Sequence, residues 1–450
     1  MFTTDAETLD NMTFETAKTY IKRHMAAMSR YNKLHDYYLG RHEILNRQKE
    51  KDVPNNKIVC NHAKEISDTA TGYFIGNPIS YSGKDADTVR EWFDSTDIDK
   101  TDMFLAKKCS IYGVCYELVN MSNDDVPEPK SYGLDPRNTF VVYDDTVEHK
   151  PLFAVYYYPS YDENYNLKSY KVWLYTNDMR YMYVTDTRFE SAELVKTEQN
   201  YFGKLQIIEY RNNDDAQGDF EQVIGLIDAY NLLMSDRVND KEQFVDAILL
   251  LINAMLGDDE DEKSETKKIL MQDKMLELPA ESDARYLTRT FDESGVDILK
   301  KALEQDIHKF ANVPCLSDEN FAGNSSGVAM EYKLLGLEMI TKIKERYFKE
   351  GIKKRIELYN AINRLRGGEL AEAEPIFTRG LPKNVVELSG IVSQLSGLVP
   401  DEILLSLLPF IRDPKAAIEM LKQQREENMR AQMEEFGMQT NTLTGDGDEE

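Results

Sequence analysis

The chain has 450 residues, 41% of them hydrophobic and 30% charged, with a net charge of −26. That length leaves room for about two to four domains with a sizeable core. The charge argues against general attraction to DNA, because proteins that track phosphates are normally basic.

The first 48 residues predict helix over 13–48, with Tyr20, Ile21, Met25, Met28, Tyr31 and Leu34 at helical steps and a break at Gly40. Asp52 to Asn56 reads as a turn and Asn61 to Phe74 as a helix closed by Gly76-Asn77-Pro78. A short strand is expected at Ile79 to Ser82, then helices at Val89 to Phe93 and Asp102 to Tyr112. From Val114 to about Tyr210 the period changes to two. Leu152 to Tyr158, Tyr170 to Tyr175 and Tyr181 to Val184 read as strands, joined by turn residues at Asn164-Tyr165-Asn166 and Asn177-Asp178. Short turns imply an antiparallel meander, so the first half is α+β.

Two long rods follow. Phe220 to Leu256 carries apolar residues at steps of three and four, with Asp219 as a candidate cap and Gly257 as a stop. Continuous, it would reach roughly 55 Å. The second rod, Val328 to Leu365, repeats the pattern, and Gly336 and Gly351 are its easiest points to bend. Between them lie an acidic patch (Asp258, Asp259, Glu260, Asp261, Glu262), strands near Lys267 to Gln272 and Ala284 to Thr290, a helix from Val296 to Asn312, and a loop containing Asn320, Gly323, Asn324, Ser325, Ser326 and Gly327. Beyond the Gly367-Gly368 break, helices are expected at Asn384 to Ser396, Asp401 to Leu408 and Pro414 to Phe436, with a disordered acidic tail over 437–450. The fold class is α+β, mainly helical.

Catalytic patterns are weak. Gly323-Asn324-Ser325-Ser326-Gly327 fits G-x-S-x-G, but no apolar strand precedes it and no histidine follows His308. A loop that caps the next helix is the better account. The six histidines form neither H-E-x-x-H nor a Cys/His zinc spacing, and read as ordinary core or surface residues. Asp258 to Glu262 lacks the alternation of a calcium loop and reads as a solvated turn. Tyrosines alternating in the strands read as packing rather than a sugar-binding face. No phosphate loop is present, so no cofactor and no metal are expected. The four cysteines form no CxxC pair and fit a reducing cytoplasm. The start of the chain lacks a leader, and the most apolar stretch, Ala247 to Leu256, is too short to span a bilayer; no membrane partner is expected. One segment breaks the acidic balance: Lys342 to Arg355 carries seven basic and two acidic residues. On it Lys342, Arg346, Lys349 and Lys353 share a face suited to carboxylates of a neighbouring subunit.

Several stretches resemble the portal proteins of long-tailed bacteriophages, in the branch typical of phages of Gram-positive hosts. They are Tyr31 to Gly40 (YNKLHDYYLG), Pro54 to Val59 (PNNKIV), Gly72 to Pro78 (GYFIGNP), Leu226 to Asn231 (LIDAYN), Ser235-Asp236 and Ser326 to Ala329 (SGVA). Their order, with the two rods, carries the resemblance over roughly residues 30 to 430. It implies a non-enzymatic ring of twelve subunits at one capsid vertex, made in the host bacterial cytoplasm and built into the virion. Double-stranded DNA would move through its centre, and its partners would be terminase, a head-tail adaptor, and the major capsid and scaffolding proteins. It implies a wing over 1–225, stem rods over 226–256 and 291–312, an adaptor-docking clip over 257–290, a tunnel loop over 313–327, a long wing helix with linker over 328–381 and a helical crown over 382–436. Asp318 and Glu319 in the tunnel loop suit sliding of DNA rather than grip. The rivals are a serine hydrolase using Ser325 and a helical scaffold that forms no ring.

Overall fold

The computed structural model describes residues 2–9, 12–51, 53–244, 248–253, 259–272, 282–287, 293–316, 327–380, 385–406, 408, 411 and 414–442. The chain divides into two compact units, residues 1–380 and 381–450.

In the first unit, strand β1 (Phe2–Thr4) precedes helices α1 (Phe14–Ala26) and α2 (Met28–Tyr38). The helix expected over 13–48 is therefore interrupted at Ala27 and ends before Gly40, which takes a left-handed φ of 79°. Helix α3 (His62–Ile75) starts behind Asn61, whose side chain accepts a hydrogen bond from the Lys64 backbone N–H at 3.0 Å. Strand β2 (Ser80–Ser82) and helices α4 (Ala86–Asp94) and α5 (Ile98–Tyr112) follow. Gly113 turns the chain into the sheets with a φ of 83°, and any Cβ there would sit 1.9 Å from the Ala216 carbonyl oxygen.

Eight strands come next: β3 (Val114–Met121), β4 (Pro129–Leu134), β5 (Thr139–Asp144), β6 (Pro151–Tyr161), β7 (Leu167–Tyr175), β8 (Met179–Thr185), β9 (Ala192–Gln199) and β10 (Ile207–Arg211). One sheet runs β1-β5-β6-β7-β8-β9, antiparallel throughout except for β1 beside β5, and so contains the expected meander. A second runs β10-β3-β4. Phe140, Val142, Phe153 and Val155 pack with Phe14, Ala17, Tyr20 and Ile21 of α1. Their alternating neighbours Val141, Tyr143 and Ala154 pack with Val114, Tyr116 and Ile207 of the second sheet. Strands covered on both faces read as unbroken apolar runs.

After a short 3₁₀ turn, the first rod is helix α6 (Ile224–Phe244), which stops before the expected end at 256. Ile248–Ile252 forms strand β11 instead. It pairs antiparallel with β12 (Asp283–Leu287), from Ile248 opposite Leu287 to Ile252 opposite Asp283. Five consecutive apolar residues satisfy a helical and an extended period alike, and the distant partner strand decides. Helix α7 (Glu260–Gln272) lies between these strands in sequence and replaces the strand expected at 267–272. Helices α8 (Glu293–Ala311) and α9 (Gly327–Leu365) match the remaining rods, and β13 (Glu374–Ile376) pairs with β2. The second unit holds α10 (Val385–Leu395), α11 (Asp401–Ser406) and α12 (Pro414–Thr442), so residues 437–442, expected in a disordered tail, are helical.

Helix α9 crosses the core as one element of 39 residues, about 58 Å long. At Gly351 a Cβ would meet the Tyr210 ring at 2.3 Å, so the missing side chain lets helix and strand touch. Arg355, fully buried, donates to Glu117 at 2.7 Å and to Asp102 at 2.5 Å, and Tyr210 donates to Glu117 at 2.6 Å. Lys344 meets Asp219 at 2.5 Å, and Ser110 and Asn212 donate to the same carboxylate. Asp219, expected to cap the first rod, thus anchors the second.

Removing one partner of a buried ion pair leaves a charge that water cannot reach. Arg355→Ala is expected to cost about 3–5 kcal/mol. Lys354→Ala, which breaks an exposed 2.8 Å pair with Glu350, should cost less than about 1 kcal/mol. Urea denaturation separates them, and equal losses would contradict the assignment.

His24 yields a prediction with a sign. Its Nε2–H donates to the Pro136 carbonyl and its Nδ1 accepts from Tyr157, both at 2.9 Å, and burial lowers its pKa to about 4. The folded state then binds the proton less well than the unfolded chain, so stability is lost as pH falls from about 6.5 towards 4, by up to about 3 kcal/mol. Asp102, raised to about 6 by burial, acts in the opposite sense, so the comparison must be with His24→Gln. The stability difference between wild type and that variant should shrink as pH falls through this window in urea titrations. A constant difference would exclude the neutral buried imidazole.

Candidate assembly and channel elements

Helices α6 and α8 lie side by side and antiparallel. Arg237 reaches Asp297 at 2.9 Å near one end, and Ile227 and Tyr230 share a cluster with Ile307 and Ala311 near the other. Helix α8 ends in a Schellman-type cap. Asn312 takes a left-handed φ of 54°, and the Val313 N–H donates back to the His308 carbonyl at 3.2 Å. Val313, 1% exposed, provides the apolar contact that accompanies such caps. His308 Nδ1–H donates to the Val313 carbonyl at 3.0 Å and fastens the same corner. Gly336 of α9 passes this cap, and a Cβ built there would stand 3.5 Å from Asn312 Oδ1, an ordinary contact distance.

Of the loop residues singled out in the sequence, Asn320, Gly323, Asn324, Ser325 and Ser326 lie outside the described residues. Gly327 is the first residue of α9.

Helix α9 has two working faces. Leu334, Leu337, Lys344, Phe348, Ile352, Arg355 and Tyr359 are buried. On the opposite face, Tyr332, Leu335, Met339 and Ile343 recur at steps of three and four and are between 45% and 75% exposed. The basic side chains continue that outer side towards the C-terminus. Their carboxylate partners, expected mostly in neighbouring subunits, lie in the same chain for three of the four. Lys342 meets Glu338 at 3.7 Å, Lys349 meets Glu345 at 3.1 Å and Lys353 meets Glu374 at 2.8 Å. For Lys342 and Lys349 the reason is local, a glutamate four residues earlier on the same helix, whereas Lys353 reaches Glu374 of β13. Arg346 is exposed and has no ion-pair partner among the described residues.

The acidic patch proves to be the start of α7. Asp259 accepts from the Glu262 N–H at 2.8 Å, and Glu260, Asp261 and Glu262 fill the first helical turn, where the helix dipole favours negative charge. Asp258 lies outside the described residues.

One juxtaposition is absent from the linear spacing. His62 and Glu65 of α3 and His308 of α8 bring three donor atoms within 4.8 Å of one another. The i, i+3 pair was visible on one helix; the third member, more than two hundred positions away, was not. Among the described residues, no helix is long and apolar enough to cross a membrane.

Residues 17–431 match the family described as phage portal protein, SPP1 Gp6-like. The chain is 24% identical to the portal protein of Bacillus phage SPP1 over 406 residues, which cover 84% of this chain and 78% of that protein. It is 28% identical to the portal protein of Clostridium phage phiCD119 over 227 residues, about half the length of either protein. The chain therefore belongs to the phage portal protein family, whose members are structural proteins of the virion and not enzymes.

Proposed function

We propose that this chain is the repeating subunit of a closed ring at one capsid vertex, through which double-stranded DNA is packaged and later ejected. Family membership over residues 17–431 is the observation that carries this reading. The outer stripe of α9 supports the ring: Tyr332, Leu335, Met339 and Ile343 form an apolar face that a second copy would cover. In this reading α6 and α8 form the stem, and β11, α7 and β12 form the clip that docks the head-tail adaptor. Residues 313–327 form the tunnel loop, and α10 to α12 the crown. Terminase, adaptor, capsid and scaffolding proteins are the partners. A net charge of −26 suits a channel past which DNA slides, since attraction to phosphates would retard transport. The basic residues beside the apolar stripe then serve subunit contacts, with Arg346 the freest to reach across.

Two experiments test the proposal. The purified protein should have the mass of a closed oligomer, seen by electron microscopy as a ring with a central hole. Leu335→Asp combined with Met339→Asp should shift it to monomers while the circular dichroism stays helical. A wild type that stays monomeric at every concentration and salt would refute the ring. In the second, residues 248–287 are replaced by a short Gly/Ser linker, which removes both paired strands together. Rings should persist but lose adaptor docking in a pull-down. Full docking by the deleted ring would exclude this insertion as the clip.

A further inference from the structure

The His62, Glu65 and His308 cluster is a built site in search of an occupant. His62 is the first residue of α3, Glu65 stands one turn later, and His308 is in the last turn of α8. The two histidines are 8% and 5% exposed. Glu65 Oε2 lies 3.2 Å from His62 Nδ1 and 3.9 Å from His308 Nε2.

The hydrogen bonds fix much of the chemistry. The Val313 carbonyl can only accept, so His308 Nδ1 carries a proton, and it is Nε2, the ring's other nitrogen, that faces Glu65. A lone pair facing a carboxylate oxygen is repulsive unless something positive lies between them. Neither His308 Nε2 nor His62 Nε2 has a hydrogen-bond partner, although both atoms are buried. The backbone carbonyl behind His308 is the kind of outer contact that orients imidazoles for metals.

We propose that these three side chains bind a divalent transition-metal cation of the zinc class. Two imidazoles and one carboxylate are the borderline donors such an ion prefers, and three protein ligands leave a fourth tetrahedral position for water. Ligand atoms about 2.0–2.2 Å from the ion must draw closer than they stand here, a change within reach of side-chain rotation. The bound ion ties α3 to the end of α8 where the chain leaves towards residues 317–326.

The test uses the full-length assembled protein, stripped with a chelator and titrated with Co²⁺ and then Zn²⁺. One Co²⁺ per chain should give the visible absorption of a four-coordinate ion, displaced by Zn²⁺, and Zn²⁺ should raise the melting temperature. His62→Gln and His308→Asn should each weaken binding by about tenfold or more, and Asn at 308 keeps a donor for the Val313 carbonyl. The acidic surface will hold cations loosely, so equal binding by wild type and both variants would overturn the proposal. So would the absence of the absorption band in the wild type, a readout that does not depend on how the variants fold. Stabilisation by acid alone, lost in His308→Asn and insensitive to metal, would replace the cation with a proton and also overturn it.

Discussion

The fold depends on how one helix is held. Helix α9 enters the core with Arg355, whose guanidinium sits among Asp102, Glu117 and the Tyr210 hydroxyl, all out of contact with water. Buried ion pairs contribute little net stability once desolvation is counted, but a charge that loses its partner in such a place is costly. The effect is a strict choice of rotation and register. Lys344, eleven residues earlier and so about three turns away on the same face, repeats the constraint through Asp219. Gly351 lies between them and admits the Tyr210 ring.

That constraint has a consequence for assembly. With rotation fixed from inside, the outer face of α9 is fixed as well. Tyr332, Leu335, Met339 and Ile343 must face away from the core, followed along the helix by Lys342, Arg346, Lys349 and Lys353. A helix apolar on two opposite sides is poorly suited to a free monomer and well suited to a subunit with neighbours. The same economy appears at the corner where α8 ends. Asn312, Val313 and His308 satisfy the terminal backbone groups of the helix, so the chain beyond starts from a defined point.

Acidity is used locally as well as globally. Asp259 to Glu262 read in sequence as a solvated acidic turn, and they cap and charge the start of α7. The cluster with the better claim to a metal contains only one carboxylate. Its two histidines come from elements far apart in the chain, and their outward nitrogens lack partners. Charge density alone is a poor guide to a site. Geometry and unsatisfied donors are better ones.

Much was legible in the sequence because it is set by local rules. The strands of the meander, the Asn and Asp turns and the rods at 296–312 and 328–365 all follow from periodicity and turn chemistry. Four features were decided only by tertiary structure. Ile248–Ile252 is strand rather than helix because Asp283–Leu287 lies beside it. Asp219 serves Lys344 rather than the helix next to it. Gly351 admits the Tyr210 ring, which a Cβ there would strike. His308 meets His62 and Glu65 only once α8 is packed on α3. In each case a partner distant in sequence supplied the pairing, charge or steric contact that the local pattern does not specify.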